Sequence, residues 1–354
     1  MSAASEGVRV AQAPLRRFSR ELLVAAGASL AHAEIVVDHL FEADAMGLRS
    51  HGFMRVPQYL SEIASGEIDP LAAPAIEHGA SGRAEVDGQR GFGQVVGAAM
   101  AREAARLARD TGVAFVTGRH MGHTGRIGAF AELIARQGLV GIAVCSGPRT
   151  GHWVAPFGGR EGRISTNPIA FAAPRAGAAP ISADFSTSVA PEGVIRSLVH
   201  RGLPAPEGAL RDSLGALTRD PAALYGPPRG AIQPLGGAVG YRGTALAILV
   251  EILAALLAKD ETEDRSRKGS NLAMIAIAAD GGFAERAGRL AAYLSDCPPI
   301  DAAKPVMLPG QREYENAMRI GDGPIEVDGP TWKAMCAAAG KIEIPTPLPD
   351  ERLP

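Results

Sequence analysis

The sequence predicts a mixed α and β fold, on three observations. Strand-like and helix-like apolar periods alternate along the chain. Hydrophobic residues make up 46% of it, which allows a large core. The 43 Gly and 26 Pro punctuate the periodic segments with turns. A length of 354 residues leaves room for two domains.

Residues 1–14 read as a loose tail, followed by helical patterns over 15–26 and 31–46. In the second, Ile35, Val36, Leu40 and Ala43 fall at helical spacing, with Glu34, Asp38 and Glu42 on other faces. A third helix, starting around Met54 and running to Ile63, tolerates Pro57 only in its first turn. Ala84–Val86 is a short strand, Gln94–Arg109 an alanine-rich helix and Val113–Thr117 a strand. A helix over 127–137, a buried strand over 139–145, strands over 169–173 and 181–185, and a helix near 194–200 follow. The Pro- and Gly-rich stretch 202–232 reads as a long surface excursion. Thr244–Leu257 is nearly all apolar and reads as a buried helix. A strand over 274–279, a helix over 284–294, a turn at Leu308-Pro309-Gly310 and helices near 312–319 and 329–339 complete the chain. No internal repeat is visible.

A formal net charge of −2 gives no electrostatic reason to expect nucleic acid or an anionic membrane as partner. Cys145, Cys297 and Cys336 are odd in number and widely spaced. They suit neither a disulfide framework nor a C-x-x-C metal site, so a reducing compartment, the cytoplasm, is expected. Neither an uninterrupted apolar run long enough to span a membrane nor an apolar segment after Arg16-Arg17 is apparent, so neither a span nor a secretion signal is expected.

Four segments carry candidate chemistry. Ser50-His51-Gly52-Phe53-Met54-Arg55 sets a hydroxyl, an imidazole and a guanidinium directly after a helix. The imidazole can pass a proton near neutral pH and the guanidinium can grip a carboxylate with paired hydrogen bonds. A proton donor beside a carboxylate clamp is what reduction of a 2-oxo acid requires; the plain alternative is a surface loop. In His120-Met121-Gly122-His123-Thr124-Gly125, the glycines favour a loop over a helical metal site. The start of the next helix, with Arg126, could face a phosphate, or be an ordinary helix start. Asp184-Phe185-Ser186-Thr187-Ser188 follows a strand and precedes a helix, where its oxygens can cap that helix or hold a ribose. Gly240-Tyr241-Arg242-Gly243 places a cation at a helix N-terminus, against the dipole, which a ligand phosphate would relieve; a solvated Arg is the alternative. Gly88-x-x-Gly91-x-Gly93 lies between a strand and a helix, but its glycine order is not that of the dinucleotide fingerprint. No G-x-S-x-G elbow and no phosphate loop occurs.

In order along residues 20–340 stand Ser50-His51-Gly52 with Arg55, Gly122-His123-x-Gly125, Val154 to Gly159, Thr166-Asn167-Pro168, Asp184 to Ser188, Pro234 to Gly237, Gly240 to Gly243 and Leu308-Pro309-Gly310. This series resembles the type-2, non-Rossmann malate/L-lactate dehydrogenase family. The family includes ureidoglycolate and sulfolactate dehydrogenases, diketogulonate reductase and piperideine-2-carboxylate reductase. The resemblance implies an α+β fold. A mostly antiparallel, non-Rossmann sheet domain over 76–310 would bind NAD or NADP, and residues 1–75 with 311–354 would form a helical domain. It also implies a homodimer and a small carboxylate substrate.

By the same resemblance His51 is the proton donor, Ser50 orients it, and His123 is a second acid/base candidate. Arg55 holds the substrate carboxylate and Thr166 contacts substrate. His123, Thr124, Gly125, Asp184, Phe185, Ser186, Tyr241, Arg242, Gly310, Gln311 and Arg312 line the cofactor, and no metal is expected. Arg242 stands where relatives usually carry Lys, and Val194 where some carry an acidic helper. The expected reaction is hydride transfer between nicotinamide and C2 of a 2-oxo or 2-hydroxy acid. Alternatives are reduction of a cyclic imino acid, a non-catalytic nucleotide-binding protein, and a zinc enzyme using His120 and His123.

Overall fold

The computed structural model describes residues 7–260 and 269–349. Its strands are β1 (Val8–Val10), β2 (Ala75–His78), β3 (Arg83–Gly91), β4 (Val113–Met121), β5 (Leu139–Ser146), β6 (Ile169–Ala173), β7 (Ile181–Phe185), β8 (Leu210–Arg211), β9 (Leu217–Thr218), β10 (Ala231–Ile232), β11 (Ser270–Ala278) and β12 (Ile325–Val327). Its α-helices are α1 (Gln12–Ala25), α2 (Leu30–Ala45), α3 (Val56–Ala64), α4 (Gly93–Thr111), α5 (Gly128–Ala135), α6 (Glu192–Arg201), α7 (Tyr241–Val250), α8 (Phe283–Ser295), α9 (Gln311–Ile320) and α10 (Gly329–Gly340).

The main sheet has seven strands in the order β2-β3-β4-β11-β5-β6-β7. Only β3 and β4 run parallel, with α4 as the crossover between them. Every other neighbouring pair is antiparallel. Alternation makes β3 half-buried: Ala84 and Val86 face the core, Arg83 and Glu85 do not. The core on this face joins Val96, Met100, Ala104, Phe130 and Ile134 of α4 and α5 to Val116, Ala143 and Met274 of the sheet.

A second core gathers both ends of the chain. Leu15, Phe18 and Leu22 of α1, Val36 and Leu40 of α2, and Tyr59 of α3 pack with Met335 and Ala339 of α10. The Ser29 hydroxyl caps α2 by accepting from the His32 N–H, and the Asp328 carboxylate caps α10 at the Thr331 N–H. Phe92 and Val95 carry this core to the start of α4.

The structure departs from the sequence reading in four places. Within the expected tail, Val8–Val10 form a strand paired with Ile325–Val327, while residues 1–6 lie outside the described set. Strand β2 was not expected: Ala75 and Ile76, adjacent on an exposed edge, give no alternation. The stretch 202–232 is not structureless, since β8, β9 and β10 form a three-stranded sheet. Its Leu210, Leu224 and Ile232 pack with Val154 and Ile195. Finally, the apolar helix is buried on one face only. After α7 it continues as a π-turn, Glu251–Ala255, and a 3₁₀ turn, Leu256–Ala258. Val250 and Ala254 meet Val144 and Ala273 of the sheet, whereas Ile248, Leu249, Ile252, Leu256 and Leu257 are exposed. By length and composition alone Tyr241–Ala258 could cross a membrane, but its inner face is seated on the sheet.

Candidate active site

Two 3₁₀ turns, Arg49–His51 and Phe53–Arg55, link α2 to α3. Asp44 fastens them: its Oδ2 accepts the Phe53 N–H at 2.7 Å. A Cβ on Gly52 would lie 2.1 Å from that carboxyl group, so only glycine fits there. The turns thereby present Ser50, His51 and Arg55 to a cavity of about 630 Å³. The loop after β4, Gly122 to Gly125, lines the same cavity with Ser165, Thr166 and the start of α6. That loop packs tightly on α4, because a Cβ on Gly93 would sit 2.5 Å from the His123 carbonyl oxygen. Glycine in the Gly88-Gly91-Gly93 series thus serves backbone approach within a βαβ unit.

The rings of His51 and His123 stack at 5.8 Å with an interplanar angle of 15°. The Ser50 hydroxyl lies 2.9 Å from His51 Nδ1. On the other ring, the Tyr59 hydroxyl lies 2.9 Å from His123 Nδ1 and accepts from Gln94 Nε2 at 2.6 Å. A hydroxyl that accepts from Gln94 is free to give its own hydrogen to His123 Nδ1, the arrangement in which the imidazole proton sits on Nε2. Burial, and next the Arg55 charge, push the His51 imidazole down to about 3. Burial, then Arg55 and His51, hold His123 well below the usual imidazole range. Both rings are therefore neutral near pH 7.

Arg55 is buried, 8% exposed. Its Nε donates to the Ser50 carbonyl at 2.7 Å and its Nη1 to Gln58 Oε1 at 2.7 Å. Its Nη2 makes no hydrogen bond to a described residue. Behind His123, the His39 Nε2 accepts the Arg126 N–H at 2.9 Å. Burial, then the Arg126 charge, lower His39 to about 3, which suits an acceptor nitrogen. Arg126 makes a bidentate pair with Glu132, both contacts at 2.9 Å.

Of the residues singled out in the sequence, the cavity brings together Ser50, His51, Arg55, His123, Thr124, Gly125 and Thr166. Ser186 stands behind Thr166 and donates to its carbonyl at 3.0 Å. His120 also borders the cavity, whereas Asp184, Phe185, Tyr241, Arg242, Gly310, Gln311 and Arg312 lie outside its lining. Asp184 accepts the Gly128 N–H at 2.7 Å at the start of α5, and Phe185 is exposed beside it. Gly310 abuts Ser182 of the same strand, followed by Gln311 and the exposed Arg312. Tyr241 and Arg242 form a separate exposed pair near Phe157. His120 turns to Asp87, at 3.0 Å, and among the described residues no group of three His, Cys, Asp or Glu could hold a metal ion.

Sequence reasoning missed Asp44, Gln58, Tyr59 and Gln94. Gln58 and Tyr59 carried a usable signal: at i+3 and i+4 from Arg55 they share its side of α3. Gln94 and Asp44 reach the site from separate elements, with no local signature.

The sequence pattern of the malate/L-lactate dehydrogenase family matches residues 10–336. An L-lactate dehydrogenase of Cupriavidus necator is 30% identical over 351 residues, covering 96% of this chain and 99% of that protein. A Delta(1)-pyrroline-2-carboxylate/Delta(1)-piperideine-2-carboxylate reductase of Pseudomonas syringae pv. tomato is 36% identical over 236 residues, 67% of this chain and 66% of that protein. Among solved structures, malate dehydrogenase from Entamoeba histolytica superposes with a TM-score of 0.89 at 25% identity, covering 97% of this chain and all of that one (100%).

Proposed function

The chain belongs to the malate/L-lactate dehydrogenase family, and we propose that it interconverts a small 2-oxo acid and its 2-hydroxy acid with NAD or NADP. The observation that carries this reading is the juxtaposition of two neutral, stacked imidazoles with a buried guanidinium, one nitrogen of which has no hydrogen-bond partner among the described residues. Arg55 binds the substrate carboxylate, which fixes C2 relative to the rings. His51, held by Ser50, gives the proton to the C2 oxygen, and His123 Nε2–H donates a hydrogen bond to the same developing charge. Thr166, which lines the same cavity, contacts substrate.

The cavity suits a nicotinamide: Gly122, Gly125, Gly147, Cys145 and Pro148 give part of its wall small side chains and bare backbone, against which a flat ring can lie. His123, Thr124 and Gly125 would hold the ring, and the cofactor supplies the hydride equivalent at C2. We place Asp184 to Ser186, Tyr241, Arg242 and Gly310 to Arg312 toward the rest of the dinucleotide. With one parallel pair in seven strands, we read the sheet as a non-Rossmann nucleotide-binding one. We further propose a homodimer that covers Ile248, Leu249, Ile252, Leu256 and Leu257. Reduction of a cyclic imino acid is the second reading, favoured by the 36% identical reductase and served by the same clamp.

The test is a panel of pyruvate, oxaloacetate and piperideine-2-carboxylate with NADH and NADPH, followed by absorbance at about 340 nm, where the reduced cofactor absorbs. Turnover of an oxo acid supports the first reading, and exclusive turnover of the imine supports the second. No turnover of any pair by folded protein overturns both.

A further inference from the structure

The arrangement behind Arg55 carries an inference about how the clamp keeps its charge available, and it rests on the reading of Arg55 as the carboxylate-binding residue. Arg55 Nη1 donates to Gln58 Oε1 at 2.7 Å, and Gln58 Nε2 donates to Glu62 Oε1 at 2.8 Å. The three side chains form one line along α3, with Gln58 and Glu62 a helical turn apart. Only one orientation of the Gln58 amide satisfies both neighbours. Turned over, it would point its N–H₂ at a guanidinium and its carbonyl at a carboxylate.

Glu62 therefore fixes the amide, and the amide fixes the guanidinium. A neutral group between Arg55 and the nearest carboxylate on its own helix also keeps the cation from closing into a direct ion pair. Other arginines here do the opposite. Arg126 is matched by both oxygens of Glu132, and Arg196, which borders the same cavity, by both oxygens of Glu192.

We propose that Gln58 and Glu62 are positioning residues for substrate-carboxylate recognition: Gln58 aims Arg55 and insulates it from neutralisation, and Glu62 acts through Gln58. Neither needs to touch the reacting atoms.

The test compares the wild-type protein with Gln58→Glu, Gln58→Met, Glu62→Gln and Arg55→Lys. It uses pyruvate as the varied substrate, separate KM values for pyruvate and reduced cofactor, and a melting curve for each variant. Gln58→Glu puts a carboxylate against Arg55 and should raise the pyruvate KM about 10–100-fold, with kcat and the cofactor KM within about twofold and melting unchanged or raised. Gln58→Met removes the aim without adding charge and should give a smaller rise, about 3–10-fold, with Glu62→Gln at about threefold. A role in helix packing alone would lower melting and leave the KM split untouched. A raised pyruvate KM in Arg55→Lys with no change in Gln58→Glu would overturn this inference while leaving the clamp intact. An unchanged pyruvate KM in Arg55→Lys would overturn the clamp reading and this inference with it; a wild type that turns over only another acid of the panel is tested in the same way with that acid, and one that turns over none overturns both.

Discussion

The neutrality of the two imidazoles makes a sharp prediction about pH. Burial and the Arg55 charge put His51 at about 3, so at pH 7, some four units higher, about one free molecule in 10⁴ carries the proton that reduction needs. Values of kcat/KM report the ionisation of the enzyme before substrate binds. Reductive kcat/KM should therefore fall tenfold per pH unit across pH 5–8, because the site must first collect a proton. Oxidation needs the neutral ring, which is already present, so its kcat/KM should be flat over the same range. The ratio of the two then changes tenfold per unit, as a reaction that consumes one proton demands. Steady-state rates in both directions at saturating cofactor, in a buffer series of constant ionic strength, read this directly. An imidazole at the ordinary 6.5 would instead put a break in both profiles: reduction would level off below it and oxidation would fall below it. A break near 6.5 in the oxidative profile refutes the electrostatic argument. His123 is depressed by the same causes, so the prediction holds whichever ring carries the proton.

Other expectations follow from single contacts. His51→Ala should lower turnover about 10²–10⁴-fold if it is the acid; near-normal turnover, with loss in His123→Ala instead, would exchange the two roles. Asp44 is lifted by burial to about 7, against 3.8 for the free group. Between those values the folded chain keeps a proton that the unfolded chain has lost, so this group favours folding at low pH and its contribution fades as pH rises toward 7. Asp44→Asn keeps an oxygen for the Phe53 N–H and should flatten that part of a stability-against-pH curve from urea unfolding; an unaltered slope would count against the shift. Gly97→Ala places a methyl 2.3 Å from the buried Phe130 ring and should cost about 1–3 kcal/mol by overpacking, read as a lower urea midpoint with unchanged m-value.

Much of the fold was legible because the apolar periods are strong. The Ile169–Ala173 and Ile181–Phe185 strands and the long helix before Val113 stand where the pattern puts them. The failures have physical causes. A three-residue strand such as Val8–Val10 gains its stability from a partner more than 300 residues away, which no local window contains. The apolar helix 244–257 carries apolar residues on both faces, so composition could not reveal that Ile248 and Leu256 lack cover among the described residues. Within the site, Ser50, His51 and Arg55 announced themselves by their chemistry in one short segment. Tyr59, Gln94 and Asp44 act by holding those groups, and any uncharged or shared oxygen or amide has many ordinary reasons to occur. The sequence supplied the reacting groups more readily than the scaffold that orients them.

The charges around the cavity support the enzymatic reading over a non-catalytic nucleotide-binding one. Burying a guanidinium is costly unless its charge is answered. This chain answers Arg126 with Glu132 and Arg196 with Glu192, each by two short contacts. Arg55, buried like Arg126 and far more so than the part-exposed Arg196, meets among the described residues only a main-chain carbonyl and an amide oxygen, and its charge falls on two imidazoles that it helps keep unprotonated. A protein that merely held a nucleotide would gain nothing from leaving this cation without a hydrogen-bonded carboxylate, among the described residues, beside stacked histidines. An anionic substrate resolves all three features at once. Its carboxylate matches Arg55 and so weakens the field that depresses the rings. Burial remains the larger cause of the depression, so substrate binding makes proton uptake less costly at the moment a reducible group lies next to the rings.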